Sequence, residues 1–146
     1  EKYGLVGAAL EFSDKDARDV GVPVADLVTM PVDATPDDIE RLVARYGYSR
    51  YPTTDEAGEL MGYLHLKDVL YADETERGEP VPRKRLRRMA TVQPADEVED
   101  VLATMQRTGT HLARVVVDAG STLGVVFLED VIEELVGEVT DSTQRG

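Results

Sequence analysis

A pattern of apolar residues recurs once along this chain, and the recurrence leaves few folds open to it. Ile39, Leu42, Val43 and Tyr46 fall at i, i+3, i+4 and i+7, which lines one face of a helix. Val98, Val101, Leu102 and Met105 repeat that spacing 59 residues later. Both predicted helices stop at a glycine, Gly47 and Gly109, where the backbone must pass into the left-handed region. Thr35-Pro36-Asp37-Asp38 opens the first helix with a hydroxyl cap, a proline at the first helical position and an acid three residues after the cap.

After each glycine the pattern becomes that of a hairpin. Tyr48–Thr54 and Leu60–His65 flank a turn at Asp55-Glu56-Ala57-Gly58, and Leu112–Asp118 and Thr122–Phe127 flank one at Asp118-Ala119-Gly120. A second helix is expected to follow, carrying Leu66, Val69 and Leu70 in the first copy and Leu128, Val131, Ile132, Leu135 and Val136 in the second. Gly62-x-x-x-x-Lys67-Asp68 thereby answers to Gly124-x-x-x-x-Glu129-Asp130. With short strands leading in at Leu27–Met30 and Ala90–Gln93, each copy reads β-α-β-β-α. A copy of roughly 50 residues cannot bury both faces of its small sheet alone. The expected fold is therefore α/β (α+β), two β-α-β-β-α repeats packed with pseudo-twofold symmetry, and such packing leaves two related clefts where small ligands lodge.

Composition narrows the function. Among 146 residues, 29 acids outnumber 16 Lys and Arg, for a net charge of −13; a phosphate backbone would be repelled by most of this surface, so nucleic acid is not an expected partner. Five of the basic residues nevertheless crowd together as Arg83, Lys84, Arg85, Arg87 and Arg88, either a solvated connector or a local phosphate-holding patch. The absence of Cys removes disulfides, thiolate metal sites and cysteine nucleophiles, and two His, His65 and His111, leave little for zinc. No apolar run is long enough to span a membrane. The chain starts at Glu1 without a Met or a signal peptide, which predicts a fragment excised from a longer protein.

Three stretches carry a resemblance to a known family: Gly47-Tyr48-Ser49-Arg50-Tyr51-Pro52, Gly62-Tyr63-Leu64-His65-Leu66-Lys67-Asp68, and the long Gly124-Val125-Val126-Phe127-Leu128-Glu129-Asp130 running on to Glu138. At these residues, within about positions 15–141, the chain resembles a tandem pair of CBS domains, the sensor module named after cystathionine β-synthase. It is most similar to the pair in CorC-type and cyclin-M magnesium/cobalt transport proteins, also called haemolysin-like. The resemblance implies an N-terminal linker or helix over 1–23, CBS repeats over 24–78 and 79–141, and a tail over 142–146. It further implies a non-catalytic regulatory module on the cytoplasmic face of the cell membrane, attached to a membrane-embedded domain and paired as a homodimer. The implied ligand is an adenine nucleotide, ATP or AMP, accompanied by Mg²⁺ in the case of ATP.

The residues match that implication in part. Asp68 and Asp130 hold the place of the acid that accepts hydrogen bonds from ribose hydroxyls, Ser49 and Arg50 offer an O–H donor and a guanidinium fork to phosphates, and Tyr48 a ring beside adenine. Several positions depart from the family's pattern. Gly21-Val22-Pro23-Val24 stands where a Met-x-Pro-Arg motif is usual, and Phe127 stands where a Thr usually donates to the ligand. His65 takes the Thr position of the first copy and retains a donor. The turn before the last strand is shortened to Asp118-Ala119-Gly120. Phe127 is accordingly expected to obstruct the second cleft.

Plainer roles compete for the same residues. Asp68 and Asp130 are also first-turn acids of the kind a helix dipole favours, Arg50 a partner for any surface carboxylate, and His111 a loop residue. Glu133, Glu134, Glu138 and Asp141 form either a solvated acidic face or a hard-ligand cluster suited to Mg²⁺. No phosphate-binding glycine loop and no Ser-His-acid motif is present, so no catalytic residues and no metal site are assigned. The competing function is a structural homodimerisation module with closed clefts.

Overall fold

A computed structural model of the chain describes residues 13–145, with side chains to Val136. Its elements run α1 (Ala17–Val20), β1 (Val22–Pro23), β2 (Met30–Pro31), α2 (Pro36–Tyr46), β3 (Arg50–Thr54), β4 (Leu60–His65), β5 (Ala90–Val92), α3 (Val98–Thr108), β6 (Leu112–Val116), β7 (Thr122–Phe127) and α4 (Leu128–Arg145). Short 3₁₀ turns lie at Val24–Asp26, Leu66–Val69, Glu76–Gly78 and Arg83–Arg85. The chain thus has the mixed α and β composition that its periodicity predicts, in two separate sheets. It divides into two compact units, one from Val28 to Arg88 and one combining the described residues up to Leu27 with those from Met89 onward.

In the Val28–Arg88 unit the sheet order is β2-β3-β4, with β2 parallel and β4 antiparallel to β3. The α2 start closes the predicted box: Asp38 N donates to Thr35 Oγ1 at 3.1 Å and Thr35 N donates to Asp38 Oδ2 at 2.9 Å. Gly47 ends α2 at φ +77°, a conformation that other residues adopt at a cost. Ile39 faces a core of Met30, Ala34, Tyr51, Leu64, Val69 and Val81, with Leu42 and Val43 partly buried against it. Tyr46, expected on the same stripe, is instead 40% exposed.

The sheet of the other unit repeats this plan with one addition. Its sheet order is β1-β7-β6-β5, β5 running parallel to β6 and the other neighbours antiparallel. Its core gathers Val98, Val101, Leu102 and Met105 of α3 with Val115, Val126, Val131 and Leu135. Register irregularities fall between Thr53 and Thr54 in one hairpin and between Val115 and Val116 in the other, the same place in each copy. The addition is β1, contributed by the N-terminal segment that the repeat pattern left outside both copies. Val22 pairs with Val125 and Pro23 with Gly124.

Two expectations are corrected. Beyond the first hairpin stands only the 3₁₀ turn Leu66–Val69, and Leu70 is 74% exposed. No apolar periodicity continues past it, whereas Val131, Ile132 and Leu135 carry α4 onward along the core. That helix runs to Arg145. The leading strand of the first copy begins at Met30 rather than Leu27.

Candidate functional site

In both units the candidate residues gather where the hairpin returns to the helix or turn that follows. Arg50 faces His65 across β3 and β4, and Leu112 faces Phe127 across β6 and β7. Leu66 N donates to Ser49 O at 2.8 Å, and Leu128 N donates to His111 O at 2.8 Å. Ser49 therefore corresponds to His111, His65 to Phe127 and Asp68 to Asp130. The equivalence read from the glycine-to-aspartate spacing extends to individual hydrogen bonds.

The Val28–Arg88 unit brings together Tyr48, Ser49, Arg50, His65 and Asp68. The Tyr48 ring is 56% exposed; it stacks on Tyr46 with centroids 6.1 Å apart and planes 13° from parallel, and meets Tyr51 at 6.2 Å. Tyr51 is fully buried, and burial pushes its hydroxyl's pKa up. Arg50 is half-buried, and its Nε has no hydrogen-bond partner among the described residues. His65 accepts at Nδ1 from Lys67 N at 3.0 Å, which fixes the acceptor nitrogen. Burial, followed by the charges of Arg50, Arg87 and Lys67, holds its imidazole below the ordinary pKa and favours the neutral ring.

Asp68 is bonded at both carboxylate oxygens. Oδ2 accepts from His65 N at 2.8 Å and from Arg87 Nε at 2.8 Å, while Oδ1 accepts from Arg87 Nη2 at 2.6 Å. Desolvation works to raise its pKa, but the two Arg87 bonds, the His65 amide and the Arg87 charge outweigh it and hold the carboxyl below its usual range. Arg87 reaches this position because Gly62 has no side chain: a Cβ there would meet Arg87 O at 2.5 Å. Tyr63 N donates to Arg87 O at 3.0 Å and Arg87 N to Tyr63 O at 2.9 Å.

Sequence reasoning placed Arg87 in a basic patch and missed this pairing. The patch itself divides in the structure, since Arg85 lies over the Tyr71 ring at 3.9 Å while Arg87 bonds Asp68. One available signal was Val81-Pro82-x-x-x-Leu86, which repeats Val22-Pro23-x-x-x-Leu27 at the same 59-residue spacing as the helices. Each proline precedes a 3₁₀ turn, and the hairpin edge falls on the motif itself at Val22 and one residue past it at Arg87.

The other unit places Phe127 and Asp130 together, with a different outcome. Phe127 is half-buried at the end of β7, and Gly124 admits the Val22 carbonyl where Gly62 admits that of Arg87. Val22 brings no charge. Among the described residues no cation or hydrogen-bond donor offsets the Asp130 carboxylate, whose pKa is raised by desolvation and then by the neighbouring charges of Glu129 and Glu133. Of the acidic cluster on α4, Glu134 accepts from Ser13 Oγ at 3.2 Å and from Lys15 Nζ at 3.1 Å, and the side chains of Glu138 and Asp141 lie outside the described residues. Among the described residues no three His, Asp or Glu side chains are grouped to hold a metal ion, and no helix is long and apolar enough to cross a membrane.

With this geometry in view, the comparisons with known proteins fall in one direction. The CBS domain model matches residues 17–74 and 83–137. The chain is 35% identical over 150 residues to the uncharacterised protein Rv1841c of Mycobacterium tuberculosis strain H37Rv, covering 99% of this chain and 43% of that one. It is 29% identical to hemolysin C of Rickettsia prowazekii, covering 97% and 47%. The chain thus spans less than half the length of these curated relatives. Among solved structures, the CBS domain of the bacterial CNNM/CorC family Mg²⁺ transporter in complex with ATP matches with a TM-score of 0.75 at 31% identity, covering 85% of this chain and 89% of that one.

Proposed function

The chain belongs to the CBS-domain family, and from that premise we propose that it is a regulatory module binding an adenine nucleotide, with CBS repeats over 24–78 and 79–141. In this reading it reports occupancy to a membrane-embedded domain of divalent-cation transporter or haemolysin-like type, from the cytoplasmic face, and it assembles as a homodimer. The observation that carries the reading is the likeness to a CBS domain in complex with ATP across most of both chains. Local chemistry supports it. Asp130 is an acid near the start of an 18-residue helix, with no compensating donor among the described residues. Ribose hydroxyls would supply charge-assisted hydrogen bonds to it. In the Val28–Arg88 unit Tyr48 is exposed and Ser49 and Arg50 follow it with donors suited to phosphate, but the Asp68 carboxylate of that unit is already bonded to Arg87. In this reading Mg²⁺ arrives on the phosphates of ATP as part of the ligand.

Thermal melting with ATP–Mg²⁺, ADP, AMP and S-adenosylmethionine tests the reading. A ligand at about 100 times its dissociation constant stabilises the folded chain by about 2.7 kcal/mol, a shift of several degrees at this size. If none of the four shifts the midpoint at millimolar concentration, the second reading stands, a structural homodimerisation module. Phe127, half-buried where the family carries a hydroxyl, is the observation that favours it.

A further inference from the structure

The repeats share their backbone geometry at the aspartate and differ in what has been brought to it. Asp68 accepts three hydrogen bonds at 2.6 to 2.8 Å, two from one guanidinium and one from a backbone amide, and its side chain is only 13% exposed. Asp130 at the equivalent place is exposed and uncompensated among the described residues. The cause lies in which segment each hairpin glycine admits. Gly62 admits a stretch bearing Arg87, and Gly124 admits a stretch bearing Val22.

Building on the nucleotide reading above, we propose that Arg87 is an internal stopper. Its guanidinium fills the carboxylate edge of Asp68 that ribose hydroxyls would otherwise use, so the repeat containing Asp68 takes no nucleotide while the repeat containing Asp130 does. A bidentate guanidinium–carboxylate pair outcompetes neutral hydroxyl donors for the same lone pairs. The stopper is held in place without its side chain, by the reciprocal Tyr63–Arg87 backbone bonds over Gly62. Replacing the guanidinium therefore uncovers Asp68 and leaves the backbone where it is. Arg50 and His65, paired across β3 and β4, remain at the same end of the hairpin, with Lys67 in the turn that follows. Arg87 is thus a specificity-determining residue that decides which repeat responds to nucleotide.

Calorimetric titration with ATP–Mg²⁺ of the full chain, Arg87→Met, Asp130→Asn and the double variant reads this directly, with circular dichroism confirming the fold. If Arg87→Met does not melt cooperatively, Arg87→Gln takes its place. The expected stoichiometry is one ATP per chain for the unaltered protein and two for Arg87→Met. Asp130→Asn should lose affinity about tenfold or more, as the loss of hydrogen bonds to a charged group implies, and the double variant should recover one site that Asp68→Asn abolishes. An unchanged stoichiometry in a folded Arg87 variant, or two ATP bound by the unaltered chain, overturns the stopper and leaves the nucleotide reading standing. Binding by the Arg87 variant alone supports the stopper and overturns that reading for the native chain. Binding by neither overturns both.

Discussion

Replacing Gly62 with alanine should detach the segment that carries Arg87, and the cost can be assembled from the structure. The new Cβ would sit 2.5 Å from the Arg87 carbonyl oxygen, where ordinary contact begins at 3.4 Å. The carbonyl is backbone and cannot rotate aside, so it must retreat by about 1 Å. That lengthens the 3.0 and 2.9 Å bonds between Tyr63 and Arg87 beyond useful range. Two backbone bonds are worth about 1 kcal/mol each. The Arg87–Asp68 pair adds about 1 kcal/mol, kept modest because the Arg87 side chain is 39% exposed and screened by solvent. Alanine returns about 0.5–1 kcal/mol by restricting the unfolded chain. The net loss is about 2 kcal/mol, read as a reduced urea midpoint at unchanged slope and a melting point lower by about 4–8 °C. Arg87→Met should cost almost nothing further in the Gly62→Ala background, because the contact it removes is already gone. Gly47→Ala is the control: it meets nothing within 4 Å, and its φ of +77° alone sets a cost of about 1–2 kcal/mol. A Gly62→Ala protein within 0.5 kcal/mol of the original, an order-of-magnitude threshold for surface substitutions, would refute the close-approach argument.

Further outcomes follow from the charges. Asp130→Asn should raise the melting point at neutral pH while removing the nucleotide-induced shift, since it relieves desolvation and the repulsion of Glu129 and Glu133; a lowered melting point counts against that account. Asp68 works in the opposite sense: its folded pKa lies below the ordinary 3.8, so the stability it contributes is fully present above that value and is lost as pH falls through the folded pKa. Acid titration of the unaltered chain against Asp68→Asn should show their difference vanishing only below pH 3.8, and a difference that grows on acidification contradicts the assignment. Phe127→Thr should tighten ATP binding by restoring a hydroxyl at the end of β7; calorimetry showing equal or weaker affinity would remove Phe127 as the obstruction.

The elements legible in the amino-acid order were those governed by near neighbours. The Thr35–Asp38 box, the left-handed Gly47 and Gly109 and both hairpins depend on contacts within a few residues, so local spacing sufficed. The correspondence of Asp68 with Asp130 was likewise readable, because duplication preserves element boundaries. Only folding in three dimensions decided which edge each hairpin would receive. Val22 joins Val125 and Arg87 joins Tyr63, pairings that cross long stretches of sequence and rest on the missing side chains of Gly124 and Gly62. The chemistry of the two aspartates was settled at the same step. A carboxylate is committed or available according to the donors that tertiary contacts carry to it, and that information is nowhere in its own neighbourhood.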